Sequence, residues 1–267
     1  IYMYALSNIV LNSISLHYNR LSFTAVSRTL LTIMLHVSDL LMVVYLALIL
    51  VLHYLWRGVI VYVSMIWKTT IFCKMCSVIT LMSITMSNII VCLISIDRFI
   101  FLVWNPFLRE GLAMKHVVTL IIVSAIISIT LPAVSSILFT DMKNTMCFGL
   151  GNSLALPFSI TYGIVAIGVF AVTATMSCVI CVKLAGGVQV RRTGGSRVQG
   201  PVLRLSLAVL TNSIPACTLS LLSFAALVPH TIPATIEANL AFLLFPLNAC
   251  CNPVMYTLTS AAFIKYT

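Results

Sequence analysis

Long apolar runs separated by short polar or basic links set the pattern of this chain. Seven are readable, at about 1–17, 25–52, 69–103, 115–138, 156–184, 202–228 and 235–258. A helix rises about 1.5 Å per residue, so about 20 apolar residues cross a bilayer core of roughly 30 Å. Residues 1–17 are slightly short for that, carry Asn8 and Asn12, and lack the basic leader and cleavage site of a signal peptide. The chain is therefore expected to begin inside its first membrane helix. The pattern predicts an all-α membrane protein: a seven-transmembrane helix bundle over 1–258 with a truncated first helix. Residues 259–267, ending SAAFIKYT, read as the start of a cytoplasmic juxtamembrane helix or tail.

The third run stands apart because polar residues fill its middle. Ser77, Thr80, Ser83, Thr85, Ser87 and Asn88 lie between Cys73 and the Asp97-Arg98 pair, with no charge among them. A lipid-facing helix gains nothing from such hydroxyls, whereas a central helix can satisfy them against its neighbours. This run is expected to be the hub of the bundle. The second run places Asp39 at mid-membrane, where a carboxylate must face the interior, pair, or hold a cation. Trp56, Tyr62 and Trp67, around the link between these runs, suit an interfacial aromatic belt. Pro132 in the fourth run is tolerable where neighbours or Ser128 take up the freed carbonyl.

Composition agrees: 61% of residues are hydrophobic and 7% charged, against about 25% charged in soluble domains. A water-soluble core is excluded. The net charge of +10 does not point to nucleic acid, because the basic residues sit between apolar runs. Instead they orient the chain. Eleven of the fifteen Lys and Arg residues fall on one set of loops and span ends, and that set belongs in the cytoplasm, with the C-terminus. The Gly-rich basic link around Arg191, Arg192 and Arg197 lies on that side and faces anionic lipid or a partner. Cys73 and Cys147 fall on the extracellular side, as free thiols or as a disulfide, which can persist there.

No catalytic constellation is present. The five His show no HxxxH spacing, the nine Cys are scattered through apolar runs, and no phosphate-binding loop occurs, so an enzyme is not expected. The polar chemistry lies elsewhere. Asn248, Asn252 and Tyr256 form one stripe of the seventh run, and Pro253 cannot donate to the carbonyl of Ala249 beside it. Asp39 and Ser87 are expected to face that stripe. The cluster offers hard oxygen donors, which suit either a small cation or a water-filled polar network.

The motifs resemble those of rhodopsin-like G-protein-coupled receptors: SDLLM around Asp39, the cysteines Cys73 and Cys147, the triplet Asp97-Arg98-Phe99, and Asn252-Pro253-Val254-Met255-Tyr256. The order and separation of the set match that family over nearly the whole chain. DLLMVVYLAL, WRG, Trp67 six residues before Cys73, and FPLNACCNPVMYTLT resemble more narrowly its leucine-rich-repeat receptors for glycoprotein hormones and relaxins.

The resemblance implies a Cys73–Cys147 disulfide and sodium among Asp39, Ser87, Asn248 and Asn252, with no other cofactor. It implies an activation switch of Asp97, Arg98, Pro215, Pro253 and Tyr256, and contact with a heterotrimeric G protein through Arg98, Phe107, Arg191 and Arg192. The further partners implied are membrane lipids and an extracellular protein or peptide hormone, captured by an ectodomain that this sequence does not contain. The location implied is the plasma membrane. Outside the resemblance, Arg98 also reads as an interfacial residue snorkelling to lipid phosphates, and Phe107 as a membrane anchor.

Several positions depart from the family. Ile122-Val123 stand where a Trp is expected, Cys178 where a Tyr is expected, and Ser213 where an aromatic residue precedes Pro215. No acidic residue lies between Gly186 and Ile236 to pair with Arg98. These gaps keep open a non-signalling or decayed seven-helix protein. A transporter is the more distant rival, since no inverted repeat is visible.

Overall fold

The computed structural model describes residues 26–57, 66–67, 69–100, 103, 112–138, 156–185 and 252. Among them are four long helices and no strand: α1 (Val26–Leu55), α2 (Ile71–Phe99), α3 (Met114–Leu138) and α4 (Leu156–Ala185). They fall on the runs expected to form the second to fifth spans. The first and sixth runs, and all of the seventh but Asn252, lie outside the described residues. Each helix holds a stretch long and apolar enough to cross a membrane: Leu30–Leu55, Ile71–Phe99, Met114–Val134 and Ile160–Lys183. These are the helices of a membrane protein.

Local chemistry sets the helix ends. Thr70 caps α2: its extended backbone turns the chain, and its Oγ1 accepts from the Cys73 N–H at 3.3 Å while donating to the Trp67 carbonyl at 2.7 Å. At the other end the Ile100 N–H is shared between the carbonyls of Asp97 and Ile96. The α-helical stretch runs to Phe99, and Ile100 and Val103 beyond it keep a wider helical turn. The Ala113 carbonyl opens α3 by accepting from the N–H groups of His116 and Val117. Pro157 falls in the first turn of α4, where a missing N–H breaks no helical bond. Pro132 sits inside α3 without ending it. The Ser128 hydroxyl is buried without a hydrogen-bond partner, so it does not take up the carbonyl that Pro132 frees.

The hub expected from the sequence is α2. It packs against each of the other three described helices, while α1 also meets α3. Burial follows the same order, with 67% of the apolar window inside the protein for α2, 50% for α1, 28% for α3 and 17% for α4. The faces of α1 show what burial means here. Ile33, Val37, Leu40, Val44, Leu48 and Val51 form an exposed stripe at helical spacing, whereas His36, Ser38 and Asp39 are buried. A water-facing helix would present the reverse. Such inversion fits lipid outside and polar satisfaction inside.

Two apolar clusters hold α1 to α2. One gathers Met42, Tyr45, Leu46 and Ile49 of α1 around Cys73, Cys76 and Ile84 of α2, together with Trp67. Trp56 meets Trp67 edge to face, with ring centroids 5.2 Å apart. Trp67 is only 5% exposed and is thus core rather than the interfacial belt residue expected; Tyr62 lies outside the described residues. The second cluster joins Leu31 and Leu35 of α1 to Met86, Ile90 and Ile94 of α2 and Val117 and Ile121 of α3. The polar residues of α1 lie between the two.

Candidate functional site

The layer between the clusters is built from the middle turns of α1 and α2. Positions three and four apart share a helix face, so His36 and Asp39 of α1 lie together, as do Ser83 and Ser87 of α2. All four are buried, Asp39 at 1% exposure and Ser87 at 2%. Ser83 donates to the Ser38 carbonyl at 2.7 Å, which ties α2 to α1 through the backbone. Ser38 spends its own hydroxyl on the Leu35 carbonyl.

Asn252 completes the layer. It is fully buried, and its Nδ2 donates to Asp39 Oδ1 at 3.0 Å and lies 3.4 Å from Ser87 Oγ. One amide thus reaches a carboxylate on α1 and a hydroxyl on α2. The second carboxylate oxygen, Asp39 Oδ2, is buried with no hydrogen-bond partner. The structure therefore brings together three of the four residues expected to cluster: Asp39, Ser87 and Asn252. Asn248, the fourth, lies outside the described residues. The oxygens present are those of a carboxylate and a hydroxyl, hard ligands suited to an alkali cation or water, while the Asn252 amide turns its nitrogen to both. Among the described residues no group of three His, Cys, Asp or Glu side chains could hold a metal ion.

The other expected sites are placed only in part. Cys73 is fully buried in the first turn of α2 and is disulfide-bonded, but Cys147 lies outside the described residues. Asp97 is 1% exposed and accepts the backbone N–H of Leu112 at 2.9 Å, so its carboxylate anchors the link into α3. The expectation that considered Asp97 only against Arg98 missed this partner. Arg98 is half-buried, with its Nε removed from solvent. Phe107, Arg191, Arg192, Pro215, Pro253 and Tyr256 lie outside the described residues.

Other polar contacts escaped the sequence reading. His36 could have been found from its place three residues before Asp39 on one face. One such contact joins α2 to α4: Thr85 Oγ1 lies 3.3 Å from Tyr162 Oη, and like the place of His36 it is a matter of helix facing. No periodicity signals it, because it depends on how the two helices are rotated. Most remaining hydroxyls of the hub turn back on their own helix, Thr80 to the Cys76 carbonyl and Ser95 to that of Val91.

With this geometry in place, comparison with known proteins adds one finding. The chain is similar to Relaxin receptor 2 of Homo sapiens. The two are 24% identical over 242 residues, a match that covers 85% of this chain. It covers 32% of Relaxin receptor 2, so the chain spans about a third of that relative's length. No family profile matches the chain.

Proposed function

We propose that this chain is the membrane domain of a G-protein-coupled receptor that passes an extracellular protein or peptide hormone signal to heterotrimeric G proteins. The observation that carries the reading is the buried bridge from Asn252 to Asp39 and Ser87. A carboxylate is costly at mid-membrane and marks a functional site by default. Here it draws α1, α2 and the predicted seventh span to one point. Pro253 follows Asn252 directly and cannot donate to the Ala249 carbonyl, so the bridge sits beside a built-in weak point of its helix. A bundle held by one such tie and broken next to it is suited to two arrangements, whose populations a ligand shifts.

The mechanism follows. Hormone contact favours the arrangement in which the segments carrying Pro215 and Pro253 move, and a cytoplasmic cleft opens at Arg98. Phe107, Arg191 and Arg192 meet the G protein there. The resting arrangement is favoured by the polar layer. Asp39 Oδ2 and Ser87 Oγ would hold sodium, which supplies the positive charge that offsets the buried carboxylate. Asp39, Ser87, Asn248 and Asn252 orient the layer. A Cys73–Cys147 disulfide pins the extracellular end. The receptor is multi-pass in the plasma membrane with its C-terminus in the cytoplasm. The similarity to Relaxin receptor 2 supports the hormone class.

The test is nucleotide exchange on G protein in cells expressing this chain, set against Arg98→Ala at matched surface level. We expect basal exchange to fall in the variant. Exchange that is present and unchanged by Arg98→Ala refutes the coupling role. A second reading, a seven-helix protein that does not signal, is favoured by Cys178, which stands exposed where the resemblance places a Tyr. Exchange absent from both chains, even with hormone, would support it.

A further inference from the structure

Two free thiols sit near the Lys183 end of α4, Cys178 and Cys181, one turn apart on the helix. Their surroundings differ from those of the other described free cysteines. Cys76 is buried in the α1–α2 cluster, and Cys92 lies partly buried on the hub helix α2. Cys178 is exposed and Cys181 partly exposed. The packed side of this half of α4 is Thr173, Ser177 and Ile180. Cys178 lies on the opposite stripe, with Ala171, Thr175 and Val182, all exposed. In a membrane helix that stripe faces lipid.

Depth is set by Lys183, two residues beyond Cys181, or about 3 Å of helix rise. A lysine at a span end snorkels to the headgroups and marks the interface. Beyond it the chain becomes Gly-rich and carries Arg191, Arg192 and Arg197. The pair is thus within a turn or two of the interface, open to lipid, and flanked by basic sequence that favours a negatively charged membrane surface.

We propose that Cys178 and Cys181 form an S-acylation site that accepts a long-chain fatty acyl group. The thiolate of one cysteine attacks the thioester carbonyl of a long-chain acyl-coenzyme A. A new carbon–sulfur bond forms to the cysteine, and the carbon–sulfur bond to coenzyme A breaks. The proton lost by the cysteine ends on the coenzyme A thiol, and nothing is oxidised or reduced. A membrane acyltransferase supplies the catalysis, and hydrolysis of the thioester reverses the modification. The attached chain lies along the exposed stripe of α4, among lipid tails. The proposal rests on the reading that the Lys183 end faces the cytoplasm, where acyl-coenzyme A is found.

The test is acyl exchange with a mass tag, using hydroxylamine to release the thioester from the full chain expressed in cells. We expect the Cys178→Ala, Cys181→Ala double variant to lose at least one tag relative to the unaltered chain at equal surface level. We also expect mass spectrometry of the unaltered chain to find the acyl group on the peptide ending at Lys183. An epitope inserted between Gly194 and Gly195 reads the orientation independently and should bind antibody only after permeabilisation. Equal tag numbers, or an acyl group confined to other cysteines, with the epitope cytoplasmic, overturn the acylation site alone. Epitope staining of intact cells overturns the orientation, and the site with it.

Discussion

The α1–α2 pair and the α3 and α4 helices are equally apolar to the eye, yet they do different work. Between α1 and α2 lie two apolar clusters, a backbone-directed serine bond, and a carboxylate bridged to Asn252. The outer faces of α3 and α4 present Ile122, Ile126, Ile129, Ile164 and Val165 to the surroundings. Only a narrow stripe of α3, including Val117, Ile121, Ser124 and Ser128, is buried. In water the buried side would be the more hydrophobic one. Here both sides are hydrophobic, and polarity marks the inside. Without a hydrophobic drive between helices in lipid, association rests on packing and interhelical hydrogen bonds. Both are concentrated where α2 meets α1.

Four substitutions sharpen that contrast. The largest difference is expected between Ile90→Ala and Ile126→Ala. Ile90 is fully buried in the second cluster, so its truncation should cost about 2–5 kcal/mol. Ile126 is 55% exposed, and the same change there should stay within about 0.5 kcal/mol. Unfolding of the two variants in one detergent reads this directly, and equal losses would erase the distinction between hub and rim. Next comes Asp39→Ala, which removes the nearer of the two acceptors of the Asn252 amide in a buried layer. An expected loss of about 1–3 kcal/mol follows from a donor left without its nearer acceptor. Stability equal to that of the unaltered chain would mean that the bridge is not holding the segments together. The smallest effect belongs to Ser83→Ala, which deletes one interhelical bond to the Ser38 carbonyl. About 0.6 kcal/mol is typical of such bonds in membrane bundles. A much larger loss would show that this bond sets the rotation of α1 on α2.

The hub was legible because a central helix is the one place where a run of hydroxyls can be satisfied, and α2 occupies that place. Asp39 was legible as interior-facing for a similar reason, since lipid offers no partner for a carboxylate. The fate of each hydroxyl was not legible. A serine or threonine on a helix can turn back to its own carbonyl, as Thr80 and Ser95 do, or cross to a neighbour, as Ser83 does. The two choices are the same in sequence and differ only by the facing of adjacent helices. Trp67 misled for a related reason. Amphipathic rings favour the interface in general, but this ring found a packed position against Trp56 and the first cluster.

By itself the sequence determined the helical membrane class, the four described spans to within a few residues, and the presence of a carboxylate that must face inward. Hydropathy over about 20 residues decides whether a segment crosses a bilayer, and that is a local property. Only the tertiary structure decided that Asn252 turns its Nδ2 to Asp39 Oδ1, that Ser83 bonds the backbone of α1, and that Asp97 holds Leu112. Those bonds join residues on different elements, and their geometry exists only once the helices have taken their relative depth and rotation.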